Sequence, residues 1–151
     1  MAAKKKTAVK KTMEDVLAGL AASPPKGKKA GATSFAKLEK LTEVPESLRA
    51  LWSWSNGCEG LLRRFDAKVL PDSAWDDLFS VNTAAKVLAL NLEADMEPHL
   101  IPFGGEQASG DCLVLDTKTG RVHYWDHEEG DVDPDPIAKS LPDLLARALD
   151  R

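Results

Sequence analysis

The 151-residue sequence predicts a single α+β domain, a mainly antiparallel sheet with helices packed on one side and a helix near each end. Three observations carry that prediction. Apolar residues recur at helical spacing near both ends of the chain. Short runs that alternate, or are wholly apolar over strand length, lie between them. The best-defined pair of strands is joined by a tight turn, too short for the crossover that parallel neighbours require.

Taken in order, residues 1–11 are rich in Lys and Ala, with almost nothing to bury. Thr12 can cap a short helix with Asp15 at the box position, and Val16, Leu17 and Leu20 give it a small apolar stripe. Ser23-Pro24-Pro25-Lys26-Gly27 breaks it, so 23–33 reads as a linker. Residues 1–33 are therefore expected to form a basic flexible arm with room for a short helix, and 34–151 the folded domain.

Within that domain Phe35, Leu38 and Leu41 recur at helical spacing from Ser34 onward. Pro45 starts a second helix, where its fixed φ is no obstacle. Leu48, Leu51, Trp52 and Ser55 share its stripe, with Trp54 at the margin, and Asn56-Gly57 is expected to end it. Residues 64–69 alternate as a half-buried strand stopped by Pro71, and Trp75 and Phe79 follow in a turn or short helix. Residues 83–96 fit both periods. Thr83 could cap a helix, yet Leu88, Leu90 and Leu92 also alternate. The length and the Ala, Leu and Glu content favour helix. Leu100 to Phe103 is a strand ending at Gly104-Gly105. Cys112–Asp116, the turn Thr117-Lys118-Thr119-Gly120, and Arg121–His127 make an antiparallel hairpin. Pro134 and Pro136 argue for an exposed loop over 126–135. Ser140 then caps a last helix, with Leu141, Leu144, Leu145, Ala148 and Leu149 on one face.

Charge is distributed unevenly. Residues 1–40 carry ten lysines against three acids and the remainder ten Lys and Arg against 21 acids, net charges of +7 and −11. A basic arm on an acidic domain follows. The arm can touch nucleic acid loosely, although a Lys/Ala tail carries no readout geometry and serves equally as a solubilising tail. No apolar run reaches the roughly 18 residues of a membrane span, and no apolar stretch follows the N-terminal lysines as in a secretory signal. With two cysteines, Cys58 and Cys112, a disulfide framework is excluded, and a reducing cytoplasm is the expected compartment.

Catalytic chemistry finds little support. Gly104-Gly105 lies between strands and lacks the Lys-Ser/Thr of a phosphate loop. No serine sits in a nucleophile-elbow context, and Ser109-Gly110-Asp111 reads as a turn. His123 and His127 have the spacing of half a zinc finger, but no Cys-x-x-Cys accompanies them. The acids of 126–135 lack the spaced ligands, central Gly and final Glu of a calcium loop. No catalytic residue, metal or cofactor is expected. Trp52, Trp54 and Trp125 are candidate interface anchors, with core packing the alternative for each.

The ordered fragments resemble the SUKH superfamily. Phe35 to Leu41, Pro45 to Leu51 and Ser55-Asn56-Gly57 look like its opening helices. Leu100-Ile101-Pro102-Phe103-Gly104-Gly105, Ser109-Gly110-Asp111, Leu113-Val114-Leu115-Asp116 and Val122-His123-Tyr124-Trp125-Asp126-His127-Glu128 look like its strand signature. Ile137 to Leu145 is similar to its closing helix, with Leu141 where an aromatic residue is common. The resemblance spans about residues 34–150 and does not include the basic arm. It implies a non-enzymatic binding domain. Many bacterial members are similar to immunity proteins that bind and neutralise a toxin, often a nuclease; fungal relatives resemble scaffolds in cell-wall signalling.

The expected partner is thus a protein, a cognate toxin, with no membrane and with nucleic acid only through the arm. The candidate partner-binding residues are Trp54, Asp126, Glu128, Glu129, Asp131, Asp133 and Asp135. A regulatory or scaffold module whose arm touches nucleic acid is the alternative.

Overall fold

The computed structural model describes residues 12–21, 29–57, 77–93, 97–105, 112–126, 128–129 and 131–147. The expected strand at 64–69, Trp75, Cys58, His127, Leu149 and residues 1–11 lie outside the described residues. Helices α1 (Met13–Ala21), α2 (Ala36–Glu39, entered through the 3-10 turn Ala32–Phe35) and α3 (Glu46–Trp54) come first. Strand β1 (Asp77–Leu78), helix α4 (Val81–Glu93) and strands β2 (Leu100–Gly105), β3 (Cys112–Asp116), β4 (Val122–Asp126) and β5 (Asp131–Val132) follow, and α5 (Leu141–Arg147) closes the series. The strands form one sheet in sequence order, every neighbouring pair antiparallel. The result is the single α+β domain that the segment order predicts.

Helix α1 has the expected reciprocal cap. The Asp15 amide donates to Thr12 Oγ1 at 3.2 Å and the Thr12 amide to Asp15 Oδ2 at 3.3 Å. It is not part of a free arm, however. Val16 and Leu17 are buried in the main core, and the helix packs on α3 and α5. The Ala30 amide further donates to the Trp52 carbonyl at 2.9 Å. A boundary at 33/34 therefore cuts through packed structure; two buried apolar side chains suffice to dock a helix that composition alone assigns to the tail.

Helix α3 starts after Pro45, which is its N-cap. Leu48, Leu51, Trp52 and Ser55 are buried, as the stripe requires. The chain does not end this helix through Asn56-Gly57. It leaves the helix at Ser55, which is extended at φ −154°. The next two residues reach across the fold instead. Asn56 Oδ1 accepts the Val81 amide at 2.8 Å, satisfying one of the orphan donors at the start of α4. Gly57 is at φ +93°, and a Cβ there would stand 3.2 Å from the Ser80 backbone nitrogen. Trp52 Nε1 completes the join by donating to the Phe79 carbonyl at 2.8 Å.

Residues 81–93 are helical. Val81, Ala84, Ala85 and Leu88 face the core, and Ser80, not Thr83, is the cap: its Oγ accepts the Thr83 amide at 3.1 Å. Strand β2 ends at Gly104-Gly105, as expected, and both glycines pair with β1. Its Pro102 sits beside a bulge, where a missing N–H is tolerated. The β3–β4 hairpin has the expected loop, with Gly120 at φ +76° and its amide donating to the Asp116 carbonyl at 2.7 Å. Every residue of β2, and Cys112 to Leu115 of β3, is buried. Since alternate side chains point to opposite faces, both faces of the sheet's centre are covered.

Candidate protein interface

The acidic residues come together on the β4–β5 hairpin. Trp125 pairs with Val132 and Asp126 with Asp131, so part of the expected loop is strand. The prolines come too late to prevent it. The Asp133 amide still donates to the Tyr124 carbonyl at 2.9 Å, and only then does Pro134 end the ladder. The chain next returns along β4, where the Ile137 amide donates to the Val122 carbonyl at 2.8 Å and the Val122 amide to the Ala138 carbonyl at 3.0 Å.

Two of the acids shape their own turns. Asp126 Oδ1 accepts the Glu128 amide at 2.9 Å, and Asp133 Oδ1 accepts the Asp135 amide at 3.0 Å. From the sheet, His123 holds the second turn, with Nδ1 2.9 Å from the Asp133 carbonyl. A carbonyl only accepts, so Nδ1 carries the proton there. The ring is itself buried. Glu128, Glu129, Asp133 and Asp135 are exposed and Asp126 is half-buried.

Among the described residues, none of these five carboxylates forms an ion pair; Arg49 pairs with Glu39, and the His99 ring lies within reach of Glu97 and Asp116. Among the described residues, the hairpin therefore carries negative charge that no ion pair offsets. Exposed carboxylates gathered on one hairpin attract a cationic surface at long range.

Trp54 is not on that surface. It is 8% exposed and lies in the core cluster. Its place at the edge of the helical stripe misleads because α3 is covered by both α1 and α5. Trp52 and Trp125 are likewise interior. Among the described residues, the buried indole N–H groups of Trp54 and Trp125 find no acceptor, an arrangement that costs roughly 1–3 kcal/mol each. Asp131 lies on β5, and the other acids surround it in sequence.

His123 is the positioning residue that motif reasoning placed only on the sheet. Its signal in the sequence was slight, an imidazole ten residues before the carbonyl it meets. Among the described residues, no three His, Cys, Asp or Glu side chains are grouped so as to hold a metal ion, and no helix is long and apolar enough to cross a membrane.

The model of one protein family, the SMI1 / KNR4 family (SUKH-1), matches residues 32–147. The match begins after α1, which nonetheless contributes to the core. Neither the curated proteins nor the solved structures gave a match.

Proposed function

The chain belongs to the SMI1 / KNR4 (SUKH-1) family, and from that premise we propose that it is a non-enzymatic immunity protein which binds and neutralises a bacterial toxin through the acidic β4–β5 hairpin. The observation that supports this most is the set of exposed carboxylates at Glu128, Glu129, Asp133 and Asp135, which form no ion pair among the described residues. Their natural counterpart is a basic protein surface, and a nuclease, which must itself hold phosphates, is the toxin class whose charge fits best. Trp52, Trp54 and Trp125 are interior, so the acids and not one of these aromatic side chains carry the proposal. The reading takes the protein to act in the cytoplasm.

Co-expression of the full chain with toxins encoded beside its gene tests it. Restored growth together with a purified one-to-one complex is expected. Growth arrest with no complex for any of them would rule the immunity role out. Removal of residues 1–11, which spares the packed helix α1, separates this reading from a scaffold whose arm touches nucleic acid. Toxin affinity is expected to survive the deletion, whereas binding by a polyanion-directed arm would disappear along with its steep salt dependence.

A further inference from the structure

On the helical layer lies a second feature, opposite in charge to the hairpin. Between α2 and α4 runs an open groove of about 290 Å³, lined by Lys37, Lys40, Leu41, Asn82, Ala85, Lys86 and Ala89. Its lining is almost wholly apolar, the aliphatic stems of Lys37, Lys40 and Lys86 included, and these three residues are exposed, so their charged ends are free to meet a ligand that lies on the floor. None of the three lysines has an ion-pair partner among the described residues. Residues 82, 85, 86, 89 and 90 recur at the spacing of one helix face. Leu90 thus prolongs the groove's stripe along α4. At 65% exposure it is the one exposed large hydrophobic side chain among the described residues.

We propose that this groove docks a short acidic, amphipathic segment of another protein, with apolar side chains over Leu41, Ala85, Ala89 and Leu90 and carboxylates against Lys37, Lys40 and Lys86. The volume is at the lower limit of small-molecule pockets, roughly 300–1,000 Å³, and the groove is too open to enclose one. An amphipathic segment laid into a groove needs less enclosure, because it covers the floor along a line. Other occupants fit less well. Two copies joined α4 to α4 would set Lys86 against Lys86. The hairpin of a second copy brings charge, but beside the polar side chains at 128, 129, 133 and 135 its exposed apolar groups are only the rings of Pro134 and Pro136, fewer than the stripe an amphipathic segment lays along the floor. An anionic bilayer matches the charge and not the concavity. The proposal goes beyond the immunity reading and does not depend on it, since the two surfaces have opposite sign.

The test is fluorescence anisotropy with the full chain and a labelled Leu/Glu peptide, its leucines at positions i, i+3, i+4 and i+7. A Ser/Glu peptide of equal charge and phosphatidylglycerol vesicles serve as comparisons. The Leu/Glu peptide alone is expected to bind. Combining Lys37→Glu, Lys40→Glu and Lys86→Glu should weaken it at least about tenfold. Leu90→Ser should weaken it several-fold. All four positions are exposed, and an unchanged circular dichroism spectrum verifies the fold. Equal binding of the Ser/Glu peptide, undiminished binding by the triple variant, or capture of vesicles without the peptide would overturn the proposal. So would self-association that the triple variant abolishes, which would assign the groove to a second copy.

Discussion

Trp52, Asn56 and Gly57 join the first helices to the segment that opens α4, each by a different means. Gly57 at φ +93° occupies a backbone region that costs an L-residue about 1–2 kcal/mol, and a Cβ would also press on the Ser80 backbone. Gly57→Ala is therefore expected to lower the melting temperature by several degrees, at about 2–4 °C per kcal/mol for a chain of this size. Asn56→Ala removes an acceptor from the start of α4 and should cost about 1 kcal/mol. A Gly57→Ala variant that melts with the wild type would show that the close approach to Ser80 is not required. The Asn-Gly pair was legible in the sequence as a break in the helix. Its partners were not, because Val81 lies 25 residues further on and no local pattern reports that separation. Trp54 shows the same limit from the other side, since its burial depends on where α1 and α5 come to rest.

At the level of elements, the helix and strand readings of α4 make opposite predictions. A strand would place Leu88, Leu90 and Leu92 on one face. In the helix Leu88 is fully buried and Leu90 is 65% exposed. Leu88→Ala should cost about 2–5 kcal/mol, and Leu90→Ala no more than about 0.5 kcal/mol in urea unfolding. Similar losses at both positions would contradict the helix. The β4–β5 hairpin makes a second prediction. His123→Ala releases the Asp133 carbonyl and should speed hydrogen exchange at the Asp133 amide, while the amides of β3 keep their protection. Unaltered exchange at Asp133 would mean that the imidazole does not hold the turn. The β3–β4 hairpin and both terminal helices were legible because their caps and turns are local. Strand β5 was hidden by Pro134 and Pro136, which follow the pairing residues and do not interrupt them.

For the whole molecule, the asymmetry of charge was legible from counting alone, and the ordered motifs, spread over both halves of the domain, were enough to indicate the family that the match over residues 32–147 bears out. Counting could not say which acids stand together, since that depends on the hairpin's register. It also missed the lysine-rimmed groove, whose two walls are more than 40 residues apart in sequence. If the hairpin steers the partner, association should be fast at low salt and slow steeply as salt rises, because exposed charges are screened over a Debye length of about 10 Å at 0.1 M. The most direct measurement is stopped-flow association of the full chain with a toxin that the proposed co-expression identifies, wild type against Glu128→Lys, Glu129→Lys and Asp135→Lys combined. The account predicts an on-rate at least about tenfold lower for the variant and a flattened salt dependence. An on-rate and salt slope equal to the wild type's would contradict it.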